Sequence, residues 1–244
     1  MKRSLIAILL LVLLISSVAS AQTKKKKAKP KAKPCAVDLA HCPDEGCGGK
    51  FDPNLNRAKN ITTLNGSPED KDYSYLAKLP KIVSGYAIGD SREKLVAKGE
   101  GKAIRVVAYA LVIRKEGGET CNCKLTGPEN TDNHIVIVSP KLKKPTLAAN
   151  EPTSQTAEFT PRVRADNHPN FTFDKLNPLI AAQGGKLLVR VTGQQMYDSE
   201  HALGGHKLKR LNDWELHPIF DLEYCPKKKG CKTGSDANWV NIAQ

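Results

Sequence analysis

Between Val189 and Ile219 the chain reads V-R-V-T-G-Q-Q-M-Y-D-S-E-H, then a glycine- and lysine-rich gap, then W-E-L-H-P-I. Asp198, Glu200 and His201 follow one alternating run, and Glu215 and His217 stand two apart in a second. In a strand, residues two apart point to the same face, so a carboxylate and an imidazole are held side by side. Similar polar sets occur upstream. Asp132 and His134 open an apolar run; Glu158, Thr160, Arg162 and Arg164 share one parity in the next; Arg190 and Thr192 belong to a third.

Three kinds of chemistry fit these residue types. In the first, Asp132 with His134, and Asp198 with His201, are ligand pairs for a divalent metal, and Glu215 or Glu158 activates water. Arg162 and Arg190 then stabilise negative charge on a phosphoryl group, as in a phosphodiesterase or nuclease. No H-E-x-x-H or similar spacing accompanies the set. In the second, the same face binds a ligand and the arginines meet its anionic groups. Aromatic residues are only 5% of the chain, so platforms for base stacking are scarce. In the third, the carboxylates pair with the arginines and histidines in salt bridges along one side of the fold.

A β framework has to position these residues. Lys102 to Arg114 reads as a long strand, Asn133 to Ser139 as a second, and Ala157 to Arg164 as a third, with Pro161 marking an edge or bulge. Phe171 to Gln183 reads as a short helix, because Leu176, Leu179 and Ile180 make an apolar stripe and Gly184-Gly185 stops it. Leu187 to Gly193 and Trp214 to Cys225 are the fourth and fifth strands. A helix between strands three and four is the element order of an OB-type five-stranded barrel. A mainly β, OB-like barrel over residues 81–244 is therefore expected, with a β-sandwich as the competing architecture. Trp214 is expected to fill the core or cover the barrel end, and Met196 and Tyr197 to pack.

The flanking segments are of other kinds. Residues 1–21 combine Lys2-Arg3, the apolar run Leu5 to Ile15 and the small-residue site Ala19-Ser20-Ala21, the pattern of a cleaved secretory signal and not of a membrane anchor. Residues 22–34 form a Lys/Pro-rich tail, too charged to join a core. The chain carries +13 in all, but without the two signal charges and the seven tail lysines the body is only +4. The tail, Lys24 to Lys33, thus accounts for any loose affinity for an anionic polymer or envelope surface, and no specific nucleic-acid recognition is expected. Residues 35–80 read as an irregular, cysteine-containing lead-in with a short helix near Asn54 to Asn60. Asn60-Ile-Thr62 and Asn65-Gly-Ser67 match the N-glycosylation pattern.

Export makes disulfides the expected state of the seven cysteines. Cys225–Cys231 closes a short loop and Cys42–Cys47 closes the Pro-Asp-Glu-Gly turn. Cys121 and Cys123 are too close to pair with each other, so one of them reaches Cys35. The odd count leaves one thiol free or intermolecular. A zinc site is the alternative, but no pair has C-x2-C spacing.

The ordered series D-x-H at Asp132, E-x-T-P-R at Glu158, V-x-V-T-G at Val189, D-x-E-H at Asp198 and W-E-x-H-P at Trp214 resembles a group of exported bacterial proteins of unknown function. The likeness covers residues 100–225 and implies a bacterial, extracytoplasmic setting, secreted or periplasmic, without an activity. The barrel also has a looser likeness to the staphylococcal-type nucleases, whose motif spacing is not reproduced. The expected function is binding of an anionic polymer or cell-envelope component, with no cofactor. The alternative is a metal-dependent phosphodiesterase or nuclease that uses the Asp/His/Glu/Arg cluster.

Overall fold

The computed structural model of the chain describes residues 34–81, 83–203, 207–227 and 229–242. The signal-like segment and nearly all of the cationic tail lie outside the described residues. In chain order the elements begin with helix α1 (Pro53–Lys59), strand β1 (Glu69–Lys71), helices α2 (Tyr73–Ala77) and α3 (Glu93–Val96), and strands β2 (Ala103–Lys115) and β3 (Asn133–Val138). Helix α4 (Leu147–Asn150), strand β4 (Gln155–Phe159), and helices α5 (Pro161–Asn167) and α6 (Leu176–Ala182) follow. Strand β5 (Leu187–Tyr197), helix α7 (Ser199–Leu203) and strands β6 (Trp214–Tyr224) and β7 (Val240–Asn241) complete the chain.

Five strands close a barrel in the order β2-β3-β4-β6-β5 and back to β2. All neighbours are antiparallel except β4 and β6, which run parallel. This is the OB-like arrangement expected from the element order. The two further strands extend it: β1 lies parallel to β2 and β7 antiparallel to β6.

Strand alternation divides the side chains between two faces. Ile135 and Ile137 on β3, Ala157 and Phe159 on β4, and Leu216 on β6 join one core with Ile104, Val106, Leu187 and Val191. Helix α6 brings Leu176 and Ile180 to that core, and α2 brings Tyr73 and Leu76. The residues between them, His134, Thr156, Glu158, Glu215 and His217, therefore face outward. Trp214 belongs to a smaller apolar cluster with Val83, Tyr86, Leu95 and Tyr197.

The third strand is shorter than the sequence pattern suggests. It stops at Phe159, and Thr160 caps α5, its Oγ1 accepting from the Val163 amide at 3.3 Å. Pro161 starts a helix there and does not mark a strand bulge, because its fixed φ and missing N–H suit the first helical turn. The connection between strands three and four thus holds two helices, α5 and α6, and not one.

Two of the expected disulfide partners differ. Cys225–Cys231 forms as expected. Cys42 pairs with Cys123 across 81 residues and Cys47 pairs with Cys35, so the local Cys42–Cys47 link is absent. Cys121 is the free, buried thiol. The lead-in lies against the β2–β3 loop: the Cys35 amide donates to Cys123 O and the Cys47 amide to Thr120 O, both at 3.0 Å. A Cβ on Gly46, whose φ is +67°, would meet Thr120 O at 2.0 Å, so only glycine allows this approach.

Candidate functional site

The outward faces of β3, β4 and β6 carry a continuous buried polar network. Register places His134 opposite Glu158 and Thr156 opposite Glu215. His217, at the centre, has its Nδ1 3.2 Å from Oε2 of both Glu158 and Glu215 and its Nε2 3.3 Å from Asp132 Oδ2. Glu158 continues to His134, Oε1 to Nδ1 at 3.3 Å, and His134 Nδ1 lies equally close to Glu116. Glu215 continues to Arg210, Oε1 to Nη1 at 2.5 Å. Arg210 also donates to Thr156 Oγ1 at 3.1 Å and to Asp198 Oδ2 at 3.4 Å, and Asp198 is in turn joined to His201.

The lead-in and the β2–β3 loop cover one flank of this network. Asn122 Nδ2 donates to Asp132 Oδ1 at 2.8 Å. Lys59, from α1, reaches Glu119 at 3.2 Å, and the Cys121 thiol donates to the same carboxylate at 3.2 Å. Asn60 Nδ2 donates to the carbonyls of Asp44 and Cys121. Asn60 is buried, so the first of the two glycosylation-like motifs has no accessible amide, whereas Asn65 in the second is exposed.

Burial and charge set the ionisation of these groups. Burial alone would lower the His217 pKa, but the adjoining Glu158 charge and the Asp132 and Glu215 carboxylates raise it to about 10. His134 behaves alike: burial opposes its charge, and Glu116 and Glu158 outweigh burial to raise it to about 10. Burial would raise Glu215, yet Arg210 and His217 bring it down to about 2. Asp198 is held well below the usual range against its burial, chiefly by His201 and Lys59.

On its other flank the network borders a cleft of about 290 Å³ over β3 and β4. Arg114, His134, His201, Lys207, Lys209 and Arg210 line it, and Glu151 is its only acidic residue among the described residues. Arg114 pairs with Glu151 at 2.8 Å, and Arg210 is committed to Glu215 and Asp198. Lys207 and Lys209 are exposed and make no ion pair among the described residues. A separate cleft of about 460 Å³, lined by Lys115, Arg164, Phe171 and Phe173, contains no member of the network.

Seven of the sequence candidates converge: Asp132, His134, Glu158, Asp198, His201, Glu215 and His217. Asp198 meets His201 as expected, but the expected Asp132–His134 pair is replaced, for Asp132 meets His217, while His134 meets Glu116 and Glu158. The two arginines go elsewhere. Arg162 lies on α5, where it donates to Cys42 O at 2.7 Å and clamps the lead-in. Arg190 makes a two-pronged pair with Glu223 and reaches Asp236 at 2.8 Å. Arg164, also on α5 and not on a strand, donates to the Phe159, Pro128 and Thr131 carbonyls. Arg114, Glu116, Lys59, Glu119, Cys121 and Arg210 join the site without a motif that singles them out. Comparison with protein-family models, curated proteins and solved structures finds no match to this chain.

Proposed function

We propose that the protein is an exported binding protein that holds an anionic polymer in the cleft over β3 and β4. The observation that carries this reading is the cleft's lining, among the described residues, of six basic residues with Glu151 as the only acid. In OB barrels this outer face of the second and third strands, between the first and last long loops, is where oligonucleotides and oligosaccharides lie. Among the described residues no phenylalanine, tyrosine or tryptophan lines the cleft. A ligand there is held by its charges and not by stacked bases, which favours a sulfated, phosphorylated or carboxylated polymer over single-stranded nucleic acid. Three disulfides fit an oxidising compartment, and no described helix is long and apolar enough to cross a membrane. The disulfides support a secreted or periplasmic setting.

Binding to a sulfated polysaccharide and to polyphosphate, measured by titration calorimetry across a salt series, tests the reading. The variant Lys207→Glu/Lys209→Glu should weaken binding by about tenfold or more at low salt, since each reversal replaces attraction by repulsion. It should also flatten the salt dependence, because fewer counterions are released. A chain lacking Lys24 to Lys33 is the control for the tail. If that deletion abolishes binding and the double reversal leaves it intact, the cleft is not the site.

A further inference from the structure

We propose that Asp132, Glu158 and His217 form a binding site for one divalent transition-metal ion, buried beneath the lead-in. One ligand atom from each lies within 4.8 Å of the others. The three side chains are 0%, 6% and 0% exposed. They arrive from separate places, the residue before β3, the end of β4 and the first half of β6.

Each has one polar atom tied and a second that touches its neighbours in the triad without a hydrogen bond. Asp132 Oδ1 accepts from Asn122 at 2.8 Å, Glu158 Oε1 lies 3.3 Å from His134 Nδ1, and His217 Nδ1 is bonded to Glu215 at 3.2 Å. The remaining atoms, Asp132 Oδ2, Glu158 Oε2 and His217 Nε2, are buried without a hydrogen bond. Asp132 Oδ2 and His217 Nε2 are 3.3 Å apart, yet the pair lacks hydrogen-bond geometry. Buried polar atoms without hydrogen bonds are costly and call for an explanation, and here they belong to three residues that each bring a ligand atom within 4.8 Å of the others.

The surroundings have the form of a second shell. A ligating histidine ordinarily donates its other ring N–H to a carboxylate, as His217 does to Glu215, and ligating carboxylates are themselves hydrogen-bonded, as Asp132 is by Asn122. With the metal about 2.0–2.2 Å from each nitrogen or oxygen, the 3.3 Å between Asp132 Oδ2 and His217 Nε2 is already the spacing of two ligands on one ion, and Glu158 closes on it from within 4.8 Å. The two carboxylates balance the ion's charge. One nitrogen and two oxygens suit zinc, manganese or iron(II), whereas calcium takes six to eight oxygen ligands. The ion takes the place of a proton on His217 Nε2 or of a buried water, the two other occupants that the site admits. Cys121, bonded to Glu119, stays outside the shell.

The full mature chain, untagged and purified without chelator, is analysed for bound metal by mass spectrometry, then stripped and titrated with Zn²⁺ and with Mn²⁺. The expected result is about one ion per chain, a lower melting temperature after stripping, and recovery on adding the ion. Asp132→Asn and Glu215→Gln should each weaken metal binding about 10–100-fold, while His41→Ala, at an exposed histidine of the lead-in, leaves it unchanged. If the buried variants do not fold, Co²⁺ added to the stripped wild-type chain decides. Visible d–d bands without a near-ultraviolet thiolate band support this ligand set. A thiolate band that disappears in Cys121→Ser overturns it. If no ion is retained and no added ion raises the melting temperature, the proposal falls and His217 is a buried imidazolium.

Discussion

At the scale of single residues, Arg210 shows what position in the fold adds to residue type. Its side chain is 8% exposed and its guanidinium meets Glu215, Asp198, Thr156 and the Asn212 carbonyl. Two buried carboxylates depend on that one planar fork. Arg210→Ala should therefore cost roughly 3–5 kcal/mol, because it takes the guanidinium from two buried carboxylates and leaves Glu215 only His217 and Asp198 only His201. Arg210→Lys should restore only part of this, since one ammonium does not reproduce the spread of donors. Urea-unfolding midpoints of the two variants check the order, and equal stability of Arg210→Ala and wild type would refute it. In the sequence Arg210 sits in K-L-K-R-L, indistinguishable from Lys207 and Lys209, which remain exposed. Asp198, Glu215 and His217 were legible because strand alternation and the D-x-E-H cluster singled them out. Their cationic partner comes from an irregular loop, where no periodicity reports burial.

At the scale of elements, the strands were legible because alternation separates two faces. The same parity rule misled at the end of β4. Glu158, Thr160, Arg162 and Arg164 alternate, but Thr160 followed by Pro161 is also a helix start, and the capping bond to Val163 decides for the helix. Arg162 and Arg164 are thereby removed from the network face. The V-T-G of β5 has a tertiary cause that no pattern discloses. At Gly193 the β5–β6 register shifts, and a Cβ would lie 3.0 Å from both the Pro218 carbonyl oxygen and Ile219 Cγ2. Two of the three nearest atoms, Pro218 O and Ile219 Cα, are backbone of the neighbouring strand and cannot yield as a flexible side chain would. Gly193→Ala should thus destabilise by about 1–3 kcal/mol through overpacking. The shift would appear as a lower thermal midpoint, and a neutral or stabilising substitution would show that β6 can move aside.

At the scale of the whole molecule, the lead-in acts as a cover for the outer face of the barrel. A local reading of cysteine spacing favours Cys42–Cys47, since short loops close most readily. The fold instead brings the β2–β3 loop to Cys42, a juxtaposition that exists only after the barrel has formed. Linking residues 81 apart removes more entropy from the unfolded chain than a local loop would, and on this ground Cys42→Ser/Cys123→Ser should lose roughly 2–5 kcal/mol. A second readout separates loss of global stability from release of the cover. Cys121 is 1% exposed in the native chain and should resist iodoacetamide under conditions that leave the fold intact. Without the Cys42–Cys123 link the lead-in retains its contacts through Asn56, Asn60, Lys59 and Arg162, none of them covalent. Local opening then costs less than global unfolding, and Cys121 should become alkylated at denaturant concentrations too low to unfold the barrel. Alkylation of Cys121 that instead tracks global unfolding in both proteins would mean that those four side chains hold the cover without the disulfide.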